Sequence, residues 1–402
     1  GRRRPYLAIG VLFDVLLLIW IALAGNYWSL LAAMMLIQIS FNISHGALQG
    51  LIPDLVPEAQ RGTASAFKAI FELLPIVLIG ITISPLVGAG NLTWAVVATG
   101  VALVVILGIT LLSVHEEQMT EPMHTPIKPA LLRVLGMLGG ILAGALSGLV
   151  IGGGIGFLVY LVAQLATGVE TARLFGIAAG GITSMIVAVL GGTWAGVHAT
   201  LETADQNVES FRWWVANRLM FLAAVTSIQG FAPYFIMYSF NVGSEEATSM
   251  TGRLITMVGI FTLLSALPAG WLSDRWGQKR LTGFSGLIAV LGTGFILLTI
   301  WQPDLKLLYL AGAVLGIATG LFVTLNWALG TRLVPQAESG RWLGISNLAG
   351  AGAGMIGSGI GGPLADTLNA GAPGLGYFTI FAGYGLLFLF STLCLTGIRK
   401  QL

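Results

Sequence analysis

Charge is what this sequence has least of. Asp, Glu, Lys and Arg make up 9% of its 402 residues, against about 25% in an ordinary soluble domain. Hydrophobic residues make up 56%. A water-soluble fold of this length cannot hide that much apolar side chain, which excludes a soluble enzyme or binding protein. Cysteine is almost absent. Cys394 is the only one, so neither a disulfide framework nor a cysteine-built metal site is available. The histidines His45, His115, His124 and His198 lack metal-ligand spacing. There is no Gly-x-Ser-x-Gly elbow and no P-loop, so a protein driven by its own ATP hydrolysis is not expected. The run Gly152-Gly153-Gly154-Ile155-Gly156 has the glycines of a nucleotide loop, but it lies inside an apolar stretch with no strand before it. No catalytic set clusters within the apolar runs, which makes a membrane-embedded enzyme the weaker competitor. No cofactor is expected.

What the chain has instead is long apolar runs. A bilayer core needs about 20 such residues per helix. On that rule spans are predicted near 6–25, 29–52, 63–86, 92–114, 132–165, 172–197, 213–240, 250–272, 281–300, 307–330, 342–365 and 376–397. The fold class is an all-α polytopic membrane protein. The fifth run is long enough to be tilted, or broken at Gly152-Gly153-Gly154. The 56 glycines suit helices that approach closely in lipid. With residue 1 in the cytoplasm, only Arg173, Arg253 and Lys306 fall in or beside outer loops. The other 16 of the 19 basic residues lie at cytoplasmic ends. Both ends of the chain are therefore expected on the cytoplasmic side of a plasma (inner) membrane.

Between two of these runs lies Gly270-Trp271-Leu272-Ser273-Asp274-Arg275-Trp276-Gly277-Gln278-Lys279-Arg280, read as a tight, charged helix connection. Its pattern, G-x-L-x-D-R-x-G-x-K-R, resembles the signature loop between the second and third helices of each half in the major facilitator superfamily. The resemblance implies a fold of two pseudo-symmetric helical halves. An internal repeat supports it. Gly1-Arg2-Arg3-Arg4 corresponds to Gly277-Gln278-Lys279-Arg280, and Leu55-Val56-Pro57-Glu58-Ala59-Gln60 to Leu333-Val334-Pro335-Gln336-Ala337-Glu338, at intervals of 54 and 56 residues. Residue 1 then matches the tail of a first signature loop, and the repeat predicts two helices upstream, about 60–70 residues by comparison with 213–276. The expected division is 1–114 as helices three to six, 115–212 as a linker carrying an inserted hairpin at 132–197, and 213–402 as helices seven to twelve. The insert resembles that of the fourteen-helix variants. A rival reading takes Arg2-Arg3-Arg4 through Ala22-Leu23-Ala24-Gly25 as a signal peptide; the matching repeat intervals speak against it.

Gly1-Arg2-Arg3-Arg4-Pro5-Tyr6, with Ile52-Pro53-Asp54-Leu55-Val56-Pro57 and Arg61-Gly62-Thr63-Ala64-Ser65, resembles the sucrose/proton symporter branch. Asp54 and Arg61 resemble the acidic–basic pair of sugar porters. The resemblance implies that they join Asp274, Arg275 and Arg280 in a cytoplasmic charge network that gates the inner side. An ordinary solvated ion pair is the plainer alternative.

Gln38, Asn42, His45 and Gln49 are spaced four, three and four, so they share one helix face. Polar groups in lipid face a cavity or another helix. The fold implies a cavity for this helix, lined further by Thr226, Gln229, Tyr234 and Tyr238 on the seventh and by Thr324, Asn326 and Trp327 on the tenth. Such a lining suits a polar uncharged solute, or equally a broad-specificity drug pocket. Two acids, Asp14 and Glu72, lie deep in apolar runs, Glu72 one turn beyond Lys68. Burial penalises the charged form, so these are the proton-coupling candidates, with a helix–helix hydrogen bond as the alternative for Asp14 and a Lys68–Glu72 pair for Glu72. The function expected is secondary active transport of a small solute by alternating access, as sugar/proton symport or as drug or metabolite efflux by antiport. The partners implied are that solute, a proton and the bilayer, and not nucleic acid.

Overall fold

Lipid offers the backbone no hydrogen bonds, so an apolar chain crossing it must satisfy its amides internally. The computed structural model follows that rule, and it describes residues 4–55, 61–114, 127–200, 207–334, 342, 346 and 359–398. Among these, every regular element is a helix: α1 Arg4–Leu23, α2 Tyr27–Leu55, α3 Arg61–Gly88, α4 Leu92–Ser113, α5 Ile127–Gln164, α6 Val169–Thr200, α7 Asn207–Phe240, α8 Ser244–Trp276, α9 Gln278–Trp301 and α10 Leu305–Leu333. α11 is helical over 359–371, and α12 spans Leu375–Cys394. Nine of the described helices are long and apolar enough to cross a membrane. The protein is an all-α polytopic membrane protein.

Three local expectations change. α5 runs unbroken for 38 residues through Gly152-Gly153-Gly154; Gly152 packs against Ser184 and Gly180 of α6, while Gly153 and Gly154 meet no neighbour within 4 Å. The inserted hairpin runs past its expected bounds of 132–197, since α5 begins at Ile127 and α6 ends at Thr200. The signature connection is shorter than a loop. Asp274 and Arg275 belong to the last turn of α8, Lys279 and Arg280 to the first turn of α9, and Gly277 alone lies between. Its φ of +82° is a conformation glycine adopts at little cost. Lys279 Nζ donates to the Ile398 carbonyl at 2.6 Å, which fastens this turn to the end of the chain beyond α12. Arg275 lies 4.3 Å from the centre of the Trp271 ring.

The helices form two compact units. The first holds residues 1–125 with 243–256. In it α1 packs on α2 through Gly10, where a Cβ would stand 2.0 Å from Ser44 Oγ. Leu7 and Leu107 bring α1 to α4, and the Arg4 guanidinium donates to the Leu111 carbonyl. α3 meets the first turns of α8 through Gly80 against Thr256 and Gly252 against Ser84.

The second unit holds residues 126–242 with 257–402. α5 and α6 pair along a ladder of small residues, considered in the Discussion. The pair joins the same unit as α7 and α9–α12, through Gly181 against Leu364, Leu174 against Gly371 and Ile182 against Gly383. Its aromatic centre is Phe221 stacked on Phe322 at 3.6 Å, with Phe388 edge-on at 4.9 Å.

Candidate functional site

Along α7 some polar groups face the interior and others have exposed surface, and the helical period decides which. Asn217 is 1% exposed. Its Nδ2 donates to the carbonyl and hydroxyl of Ser391 on α12, at 2.8 and 2.9 Å. The Ser391 hydroxyl donates back to the Asn217 carbonyl at 2.8 Å. Asn326 of α10, with no exposed surface, donates from Nδ2 to Asn217 Oδ1 at 2.7 Å. Trp214 Nε1 donates to the Asn326 carbonyl at 2.8 Å. Three helices are thereby tied by one polar lock.

The lock has a stability consequence. Asn217→Leu leaves Asn326 Nδ2 without its partner, at about 1–3 kcal/mol, while the Ser391 hydroxyl keeps its bond to the main-chain carbonyl of residue 217. The purified protein is expected to lose that much stability by thermal or denaturant unfolding. Unfolding unchanged from wild type would show that the lock is dispensable.

One residue further along α7, Arg218 is half-buried. It donates to Asn326 Oδ1 at 3.2 Å, and its guanidinium lies 5.0 Å from the Trp327 ring centre and 5.9 Å from that of Trp214. The lock and the rings therefore hold a cation within a membrane helix, with part of its surface left open. Thr226, Tyr234 and Tyr238 follow on the exposed side of α7. Tyr234 and Tyr238 are 61% and 41% exposed. Tyr377 of α12 braces them, donating to the Tyr234 carbonyl at 3.2 Å and lying ring to ring with Tyr238 at 5.1 Å. Gln229, Thr324 and Trp327 are half-buried.

The predicted residues thus divide. Trp327 and Arg218 come together, and so do Tyr234 and Tyr238. Asn326 does not join the lining, as it is fully buried and both ends of its amide are engaged. It is one residue, about 100° of helical turn, from Trp327, and that rotation points it inward. Thr226 spends its hydroxyl on the Leu222 carbonyl at 2.8 Å. Arg218 was legible only as a basic residue near a membrane surface. The signal for more was the Asn217-Arg218 pair inside an apolar run, since an ionisable group there marks function by default.

In the first unit, Gln38 is exposed and Asn42 and His45 are half-buried. Asn42 Nδ2 donates to the Gln38 carbonyl at 2.7 Å, and His45 stacks on Phe41 at 5.5 Å. Asp14 is 6% exposed and stands beside Ser40 and Ser44 of α2, whose hydroxyls donate to the Gly10 and Ser40 carbonyls. Glu72 is exposed on α3. Arg280 is exposed at the start of α9. The side chains of Gln49, Asp54, Arg61, Lys68 and Asp274 lie outside the described residues.

Comparison with known proteins places this arrangement. Residues 214–400 match the family model of the Major Facilitator Superfamily. The fold is the major facilitator fold. A solved POT family transporter in complex with 5-aminolevulinic acid superposes with a TM-score of 0.67 over 99% of this chain and 82% of that one, at 14% identity. The multidrug resistance protein MdtG of Yersinia enterocolitica is 29% identical over 145 residues, which is 36% of this chain and 34% of that protein. The MdtG of Enterobacter lignolyticus is 27% identical over 186 residues, 40% of its length. The chain therefore spans about a third to two fifths of these curated relatives. An uncharacterized protein of Mycoplasma pneumoniae is 33% identical over 98 residues, 69% of its length.

Proposed function

We propose that the protein is a secondary active transporter that moves a small polar solute by alternating access. The observation that carries this reading is the half-buried guanidinium of Arg218, held by Asn326 and Trp327 within an apolar helix, with Thr226, Tyr234 and Tyr238 exposed further along the same helix. A cation and aromatic rings in one lining bind a solute with acceptor oxygens and an apolar face. Gln229 and Thr324 supply further hydrogen bonds for that solute, and Gln38, Asn42, His45 and Gln49 are the binding groups proposed on α2. The motifs at Gly1–Tyr6 and Ile52–Ser65 favour sugar/proton symport within this class. Asp54, Arg61, Asp274, Arg275 and Arg280 gate the cytoplasmic side, where both ends of the chain lie.

A second reading is efflux of drugs or metabolites, favoured by the likeness to the MdtG proteins. Reconstitution in liposomes separates the two. Symport predicts sugar accumulation driven by an inward proton gradient, and efflux predicts that sugars are inert while lipophilic dyes are expelled against one. Transport of neither, in vesicles with a verified gradient, removes the proposal.

Glu72 is the proposed proton carrier, with Lys68 and Asp14 as supporting groups. Glu72→Gln keeps shape and hydrogen bonding but holds no exchangeable acid proton. It is expected to abolish gradient-driven accumulation, more than tenfold, while leaving solute exchange within about twofold of wild type. Accumulation that survives with its pH dependence intact would make Glu72 structural.

A further inference from the structure

Between the α5–α6 hairpin and α11 lies an open groove of about 590 Å³. Its walls are Leu149, Phe157, Ile177, Ile360 and Leu364, and its floor is formed by glycines of the hairpin. At one end stand Tyr160 and Arg173. Arg173 is exposed and is, among the described residues, the one charged residue that lines the groove. It makes no hydrogen bond or ion pair among the described residues. Glu170 and Asp366 lie on the same two helices, but neither lines the groove.

The dimensions point to an occupant. From Leu149 to Tyr160 α5 rises about 16 Å, close to half of the roughly 30 Å hydrocarbon core. Arg173 is in the first turn of α6, beside the hairpin turn, so the charge sits where a bilayer changes from hydrocarbon to headgroup. An apolar trough one leaflet deep with a cation at its rim matches one acyl chain capped by an anionic phosphate. An arginine guanidinium donates charge-assisted, bidentate hydrogen bonds to phosphate oxygens. We infer that this groove binds one anionic phospholipid, its phosphate on Arg173 and one acyl chain lying over Gly153 between α5 and α11.

The groove can be closed without disturbing the helix pair. A Cβ on Gly153 meets nothing within 4 Å, whereas one on Gly156 would stand 2.6 Å from the Gly176 carbonyl oxygen. The test is native mass spectrometry of the purified full-length protein, titrated with phosphatidylglycerol or with phosphatidylcholine of the same chain length. One phosphatidylglycerol per chain is expected to bind about fivefold more tightly than phosphatidylcholine, the worth of one arginine near an anionic headgroup. Arg173→Gln should erase that preference, and Gly153→Leu should weaken both lipids while thermal unfolding stays at the wild-type temperature. A ladder of equal, unselective lipid additions would mean annular lipid only and overturn the inference. So would a preference that survives Arg173→Gln, or Gly153→Leu binding lipid like wild type.

Discussion

Replacing Gly144 by valine is expected to unfasten α5 from α6. A Cβ at Gly144 would lie 2.0 Å from the backbone nitrogen of Gly192 and 2.3 Å from its Cα. Both are main-chain atoms, so no side chain can swing aside and the helices must part. The contact is one rung of a ladder. On α5 it is built from Gly140, Gly144, Gly148, Gly152 and Gly156, and these meet Gly196, Gly192, Ala188, Ser184, Gly180 and Gly176 along α6. A spacing of four keeps small residues on one side of each helix, and small residues let membrane helices pack backbone to backbone. Overpacking a tight interior costs about 1–3 kcal/mol, and here relief at one rung displaces its neighbours too. Gly144→Val should therefore lower the unfolding temperature sharply or leave little folded protein by size exclusion. Gly153→Val, whose Cβ meets open space, is the control and should behave like wild type. Equal stability of the two variants would mean that the ladder does not hold the hairpin.

Loss of the Arg218 guanidinium is expected to have the largest effect on transport. Arg218→Lys keeps the charge, but it loses the planar group that lies over Trp327 while donating to Asn326. Lysine and arginine are not equivalent at a stacked, hydrogen-bonded site. A hydrogen bond to a charged group contributes about 1.5–3 kcal/mol, so a solute bound through this cation should be transported about 10–100-fold less well by Arg218→Lys. Arg218→Gln should be near the background of empty vesicles. Thermal unfolding separates site from scaffold. Asn217 and Asn326 still bond each other and Ser391 without the arginine, so the stability lost should not exceed about 1–3 kcal/mol, the cost of leaving Asn326 Oδ1 unpaired. Full transport by Arg218→Gln, or lost transport accompanied by a collapse in stability, would place Arg218 in the scaffold.

These two expectations draw on different amounts of the sequence. The ladder was close to legible, since a small residue at every fourth position in two apolar runs, glycine throughout on α5 and Gly, Ser or Ala on α6, already implies a helix pair. What the pattern left open was its strength, because spacing does not say whether a glycine meets backbone, as Gly144 does, or open space, as Gly153 does. The glycine between α8 and α9 was legible as a turn, but the charged residues around it turned out to be helical, since one residue with positive φ suffices to reverse the chain. For the site, Tyr234, Tyr238 and Trp327 were expected as lining and have exposed surface. Asn326 was expected beside them and is buried.

By itself the sequence determined that this is a polytopic helical membrane protein, and nearly where most of the described helices lie; most of the predicted span 342–365 falls outside the described residues. A chain with 9% charge and long apolar runs has no alternative to helices in lipid, since its backbone must satisfy itself locally. Only the tertiary structure decided how each helix is rotated. The 3.6-residue period gives the angle between Asn326 and Trp327 but not which of them faces inward. That is set by partners far along the chain: Asn217 and Ser391 are 174 residues apart, and Asn217 and Asn326 are 109 apart. A polar group buried in an apolar core must find such a partner, and the turn of α7 that gives Asn217 its partners also leaves Arg218 half-open beside Trp327.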